Sequence, residues 1–134
     1  MAEKTFNLQI ISPTRVFFDE AVDMVEMKTT EGEIGVYAEH IPMTAIVAPG
    51  VLSIHEGSEV KKAALHSGFV EVLPDSVTIL AEVVEWPEEI DAKRAEEAMT
   101  RAERRIRDNK AETDIFRAEL SLKRAVTRLE VKGK

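Results

Sequence analysis

The chain changes its hydrophobic period at Trp86-Pro87. Before that pair, apolar residues come in short runs of about four to eight, rich in β-branched types and broken by Gly, Pro, Asp and Ser. After it they recur at spacings of three and four to the end of the chain. The first habit belongs to strands and the second to helices, and here they do not interleave. "TFNLQII" from Thr5 alternates up to Pro13, and Arg15-Val16-Phe17-Phe18 leads into "AVDMVEMKT". In that stretch Val22, Met24 and Glu26 point one way and Asp23, Val25 and Met27 the other, which predicts a strand apolar on much of both faces. Glycine turns at "TEGEIGV" and "APG" precede "VLSI", "VKKAALH", "FVEVL" and, past Pro74-Asp75, "SVTILAEVV". This pattern predicts an antiparallel β-sandwich or flattened barrel of about ten short strands, with its two layers covering each other. No helix of crossover length fits between Thr5 and Val84, which argues against a parallel α/β fold.

The second part reads as an antiparallel two-helix hairpin, so the whole is of the α+β class. Pro87 suits a helix's first turn, and Glu88 and Glu89 suit its electropositive end. Ala95, Met99, Ala102 and Ile106 form one stripe; Ile115, Ala118, Leu122, Ala125 and Leu129 form the other. "RDNKAETD" reads as the connection, with Thr113 or Asp114 as candidate caps. An alanine-rich seam lets the backbones approach closely but buries little area, at about 25 cal/mol per Å². A hairpin of this size is marginal alone, so it docks on the sheet domain or exchanges that contact for another partner. The expected units are residues 1–86 and 87–134, with Glu85–Pro87 and Asp108–Asp114 as the moving parts.

The formal charge of -7 is divided unevenly. Residues 1–87 carry 14 acidic and 5 basic side chains, whereas residues 88–134 carry 11 and 13. A weakly basic tail beside an acidic body is a poor nucleic-acid footprint and suits a small anion or an acidic protein surface. The chain has no cysteine, which excludes thiol catalysis, disulfides and Cys-based metal sites and fits a reducing compartment. "MAEKTFNLQI" lacks a signal peptide's apolar core, and no run approaches the roughly 18 apolar residues of a membrane span. Residence in the cytosol is expected, and contact with a membrane complex stays open.

"EEIDAKRAEEA", from Glu88, and "DIFRAEL", from Asp114, share an Asp-x-x-Arg-Ala-Glu core. On a helical projection Arg94 and Arg101 flank the first stripe, while Arg117, Arg124 and Arg128 lie far from the second and predict an outward ridge. Asp91 lies near its own seam, in reach of Arg94 or of a ligand's donor. Clustered guanidiniums suit phosphate, because their planar forks make bidentate charge-assisted bonds. Solvated faces with pairs such as Glu97–Arg101 explain the same residues more simply. The P-loop and dinucleotide patterns are absent, and His40, His55 and His66 are scattered without metal-ligand spacing. No serine lies in a nucleophile motif, so binding fits better than catalysis. Ile41-Pro42-Met43 and Val16-Phe17-Phe18 either complete the core or form docking patches.

"GEIGVYAEHIPMTAIVAPG" from Gly32, "SGFVEVLPDSVTILAE" from Ser67 and "AELSLKRAVTRLEV" from Ala118 together resemble the epsilon subunit of bacterial F-type ATP synthase, the counterpart of the mitochondrial delta subunit. The resemblance spans essentially the whole chain. Ala38-Glu39 stands where that family usually has Pro-Gly, which predicts a turn formed differently, and Ser67-Gly68 stands for a usual Gly-Gly. The resemblance implies a non-catalytic rotor subunit, peripheral on the cytoplasmic side of the cell membrane. Its sandwich would join gamma to the membrane c-ring. Its hairpin would lie folded on the sandwich or extend along gamma, and the extended form would restrain ATP hydrolysis by setting Arg117, Lys123, Arg124 and Arg128 near acidic surfaces of the alpha/beta head. It also implies a regulatory ATP site without a required metal, because ATP-sensing members carry Ile/Leu-Asp-x-x-Arg-Ala. The corresponding residues here are Ile90, Asp91, Arg94 and Ala95, with Arg101, Arg124 and Arg128, and Glu85 as a further acidic contact. The other reading is a free-standing β-domain adaptor whose hairpin recognises a protein.

Overall fold

The computed structural model describes residues 4–108 and 112–133, with backbone alone for 112–114. Ten strands come first: β1 (Phe6–Ser12), β2 (Arg15–Val22), β3 (Met24–Thr29), β4 (Gly32–Tyr37), β5 (Met43–Val47), β6 (Gly50–Glu56), β7 (Glu59–Leu65), β8 (Gly68–Val72), β9 (Ser76–Ala81) and β10 (Val84–Glu85). A 3-10 turn at Pro87–Glu89 leads into α1 (Ala92–Asp108) and α2 (Glu112–Lys132). The strands hydrogen-bond in the order β10-β7-β6-β3-β5-β8-β9-β1-β2, and β4 also pairs with β3.

Leu8 and Ile10 of β1, Val25 and Met27 of β3, Leu52 and Ile54 of β6, and Val77 and Ile79 of β9 share one buried cluster. Strands as distant in the sheet as β1 and β6 meet there, so the sheet is folded over itself into a flattened barrel. Among the described residues every strand pair is antiparallel except one: β1 runs parallel to β9, Asn7–Ile11 against Ser76–Leu80. A parallel pair needs a long connection, and here seven intervening strands supply it without any helix.

Three local expectations change. The stretch read as one two-faced strand is broken at Asp23, so that Val22 is buried at the end of β2 and Val25, Met27 and Thr29 are buried in β3. The inward face passes from even to odd positions because Asp23 turns the chain. Its N–H donates to the His55 carbonyl (2.9 Å), and its carboxylate accepts from the Gly57 N–H. At Ala38-Glu39 the turn still uses left-handed backbone: Glu39 adopts φ 66°, a conformation that costs a non-glycine residue about 1 kcal/mol. Its N–H donates to the Pro74 carbonyl (2.6 Å), and its carboxylate pairs with Lys4 (2.7 Å). The two ambiguous apolar runs split residue by residue. Phe17, Phe18, Met43 and Ala45 join the core, while Val16, Ile41 and Ile46 face outward.

Trp86 closes the barrel's end by stacking on Phe17 (centroids 4.2 Å apart) and meeting Phe18 edge-on at 6.3 Å. Glu89 accepts from the Trp86 N–H (2.8 Å) and takes a two-pronged ion pair from Arg15 (2.7 and 2.8 Å). Beyond this knot the helices meet through buried Ala95, Ala102, Ala118 and Ala125. Helix α2 also lies on β6 and β7, where Val131, Ile90 and Ala64 form a small second cluster with Val51. The connection narrows to residues 109–111, which lie outside the described residues. Thr113 and Asp114 fall inside the first turn of α2, and their side chains lie outside the described residues, too.

Candidate functional site

The motif that opens the hairpin first has to start a helix. The Asp91 carboxylate accepts from the Arg94 backbone N–H (3.1 Å), and the Asp91 carbonyl accepts from the Ala95 N–H (3.0 Å). Asp91 is therefore the N-cap of α1, flanked by buried Ile90 before it and buried Ala95 one turn later. An N-cap serine accepts the same bond. Asp91→Ala should lower hairpin stability by about 1 kcal/mol and Asp91→Ser by much less, read from helical circular dichroism during urea unfolding.

Arg94 and Arg101 lie exposed on α1. Arg124 and Arg128 do not form the expected outward ridge: they are half-buried between α2 and the sandwich. The helical projection measured them against the α1 seam alone, but α2 packs on two sides, and buried Thr127 and Val131 share its sandwich-facing side. Arg124 Nη2 donates to Ser67 Oγ (3.4 Å) and approaches Glu82 (3.9 Å), while its Nε is buried without a partner. Arg128 Nε donates to Glu85 Oε1 (2.7 Å), and Lys132 Nζ donates to the Pro87 carbonyl (3.0 Å). The fold thus brings Asp91 to Arg94 and holds Arg124 and Arg128 on one seam. Among the described residues, no hydrogen bond or ion pair joins the α1 arginines to the α2 pair.

Glu85 is the hub of that seam. The oxygen that accepts from Arg128 also accepts from His66 Nε2 (3.0 Å). Burial works to raise the Glu85 pKa, but the hydrogen bonds from His66 and Arg128, with the charge of Arg128, outweigh it and hold the carboxyl below its ordinary range. Glu89 is likewise lowered, chiefly by the Arg15 hydrogen bond and then by the Trp86 N–H. For such a lowered carboxylate, stabilisation is complete above the free group's pKa and is lost as pH falls through the depressed one.

From the sequence His66 counts only as a scattered histidine without metal-ligand spacing, Ser67 only as a replacement for glycine, and Glu82 carries no signal. His66 follows the buried run Ala63-Ala64-Leu65, and β7 pairs with β10 so that Glu85 lies opposite Ala64. The apolar run signalled burial; the partner came from a pairing invisible in one strand. Of the other histidines, His55 on β6 bonds to Glu26 on the neighbouring β3 (2.7 Å), and His40 Nδ1 bonds locally to the Ile41 carbonyl (2.7 Å). Among the described residues no group of three side chains is placed to hold a metal ion.

The outside of the sandwich carries a second feature. Ile46 pairs with Phe69, Phe69 with Leu80, Leu80 with Ile11 and Ile11 with Val16, across β5, β8, β9, β1 and β2. Ile46, Phe69, Leu80 and Val16 are all more than half exposed. A continuous apolar stripe over five strands marks a surface built to be covered.

A folded-over sandwich with an apolar outer stripe and an arginine-held hairpin defines a protein that works by contact with partners. The chain belongs to the delta/epsilon chain family of ATP synthase: residues 5–87 match the family's beta-sandwich domain and residues 88–133 its long alpha-helix domain. It is a non-catalytic subunit of the central stalk. The chain is 46% identical to the ATP synthase epsilon chain of Halalkalibacterium halodurans, covering 97% of this chain and 98% of the relative. It is 42% identical to that of Caldanaerobacter subterraneus subsp. tengcongensis, covering 98% and 96%. Its fold matches a chain in the cryo-EM structure of the Euglena gracilis mitochondrial ATP synthase (OSCP/F1/c-ring, rotational state 1), with TM-score 0.84, 24% identity and coverage of 97% and 82%.

Proposed function

We propose that residues 1–86 couple the head of an F-type ATP synthase to its membrane ring, while residues 87–134 regulate hydrolysis by leaving and rejoining the sandwich. In this reading the Ile46–Val16 stripe helps cover a face shared with gamma and the c-ring. The chain sits peripherally on the cytoplasmic side of the cell membrane. Among the described residues no helix is long and apolar enough to cross one.

The observation that carries the regulatory reading is the way α2 is held. Its apolar contact with the sandwich is the small cluster of Ala64, Val51, Ile90 and Val131, and the rest is Arg124, Arg128 and Lys132 on polar partners. Such a seam is readily exchanged for another, because charged contacts are satisfied equally well by other carboxylates. Trp86 and Glu89 are tied into the sandwich, so the pivot belongs after Glu89, at Ile90-Asp91, rather than at Glu85–Pro87. Released, the helix presents Arg117, Lys123, Arg124 and Arg128 to acidic surfaces of the alpha and beta subunits.

Docked, the hairpin binds ATP as a regulatory ligand that is not hydrolysed. Arg94, Arg101, Arg124 and Arg128 take phosphate, Asp91 orients polar groups and Ile90 and Ala95 flank the nucleotide; Arg124 and Arg128 then trade Glu82 and Glu85 for phosphate oxygens. The unpartnered Arg124 Nε supports this, as a buried donor in search of an acceptor. Arg94→Ala or Arg124→Ala should weaken ATP binding about tenfold or more, the worth of a charge-assisted hydrogen bond, while the sandwich stays folded. Calorimetric titration of wild type and both variants decides it; unchanged affinity removes those side chains from the site.

A further inference from the structure

Across α2 from Glu85, where β3 and β4 continue the sheet beyond β6, the helix and the sandwich border a trough of about 470 Å³. We propose that this trough binds a linear aliphatic polyamine, and that the bound amine pins α2 to the sandwich. The site is separate from the arginines of the nucleotide reading. The pinning, but not the site, rests on the reading that the hairpin leaves its dock.

Strand pairing builds the floor. Gly35, Glu26, Ser53 and Lys62 stand side by side across β4, β3, β6 and β7. Gly35 has no side chain and Ser53 a short one, so the surface sinks on either side of Glu26. Half-buried Met24 and Val51 add apolar surface. A Cβ on Gly35 would meet the Met24 methyl at 2.7 Å, so that methyl lies over the space the glycine leaves. Helix α2 forms a further wall and contributes Glu130. The volume is in the range of small-ligand sites, about 300–1,000 Å³.

Charge selects the occupant. Three carboxylates, Glu26, Glu33 and Glu130, border the trough against the single ammonium of Lys62. The adjoining hollow beside Leu122 and Val126 is balanced, with Glu33 and Glu130 against Lys28 and Lys123. His55 occupies one oxygen of Glu26 and leaves the other to the trough. Among the described residues no three such side chains converge on a metal position, so a compact ion fits poorly. An extended cation meets separated carboxylates one at a time through charge-assisted N–H donors, while its methylenes lie on Met24 and Val51. Docking brings Glu130 to the cleft that Glu26 and Glu33 already line, and like charges there repel. A bound amine turns that repulsion into attraction. Because α2 supplies one wall, the ligand favours the docked pose and shifts the hairpin towards it.

Calorimetric titration of the full-length chain with spermidine should show saturable binding. Glu26→Gln and Glu130→Gln, both at exposed positions, should each weaken it about tenfold or more. No saturable binding, unchanged affinity in both variants, or the same isotherm from magnesium chloride at matched ionic strength overturns the site. Docking is read separately. The chain has no cysteine, so dyes at Ser58→Cys, on the exposed β6–β7 turn, and Ser121→Cys, at an exposed position of α2, report it by energy transfer. Spermidine at ten times its dissociation constant should raise the docked-to-released ratio by up to about tenfold. Glu130→Gln should raise that ratio without ligand and abolish the response to spermidine. A hairpin that answers to ATP but not to bound spermidine overturns the pinning. One that answers to neither while spermidine binds defeats the mobile hairpin and leaves the trough standing as a binding site.

Discussion

An ATP synthase assembled with this chain ending at Pro87 should hydrolyse ATP about fivefold faster, or more, than one carrying the full chain, the lower end of typical regulatory coupling. The truncation is structurally tolerable. The sandwich's buried cluster, from Phe6 through Val84 with Trp86 against it, contains no residue of either helix. Among the described residues, the buried apolar side chains beyond Pro87 are the four alanines of the helix seam with Ile90 and Val131, and the hairpin's other ties to the sandwich are the polar contacts of Arg124, Arg128 and Lys132. Removing the hairpin uncovers Ala64, which packs on Ile90 and Val131, but takes no residue from the main core. The loss therefore falls on regulation, through the arginines that would otherwise reach the catalytic head. The rate per assembled complex, with stoichiometry checked by gel, measures it; equal rates with and without residues 88–134 defeat the inhibitory role.

Gly68→Ala should destabilise the sandwich by about 3 kcal/mol or more, a cost typical of severe overpacking. Gly68 opens β8 at φ +156°, and a Cβ built there would lie 2.0 Å from the Leu80 carbonyl oxygen and 3.0 Å from the Ala81 Cα. Both obstacles are backbone of β9, whose pairing with β8 starts at Gly68 opposite Ala81, so neither can yield like a flexible side chain. The same strand end carries Ser67, the hydrogen-bond partner of Arg124, and a displaced β8 would loosen the hairpin's dock as well. Urea unfolding followed by Trp86 fluorescence, which reports the barrel's end, gives the stability difference; a loss below about 1 kcal/mol would mean that β9 shifts freely.

Much of the fold was legible because each part states its own period. The turn glycines and prolines located the strands, and the alanine stripes located both helices and their shared seam. What failed had one cause: a side chain was judged against its sequence neighbours when a distant element decided its surroundings. Arg124 and Arg128 stood opposite the α1 seam on paper, but β6 and β7 approach that side, and buried Thr127 is too polar to signal it. The break at Asp23 was hidden because "AVDMVEMKT" alternates plausibly in either phase, and only the bonds from Asp23 to His55 and Gly57 choose between them. The Glu39 turn shows the reverse case, where an acidic residue accepts the left-handed backbone that a glycine would take. For the candidate site, the Asp91 cap and the arginine inventory were readable, whereas the union of His66 with Glu85 depended on two strands meeting.

The lone parallel pair also governs the order of assembly. As the chain emerges during synthesis, β1 acquires β2 at once, but its other edge has no mate until Ser76–Leu80 arrives. Until then the nascent barrel offers Asn7–Ile11 as an open strand edge, a template for pairing with any extended segment nearby. Closure is correspondingly late and non-local, which slows folding and concentrates its risk in the interval before β9 is made. A ribosome that stalls ahead of Ser76 therefore leaves an adhesive half-barrel, and one that passes Ala81 leaves a ring that can seal itself.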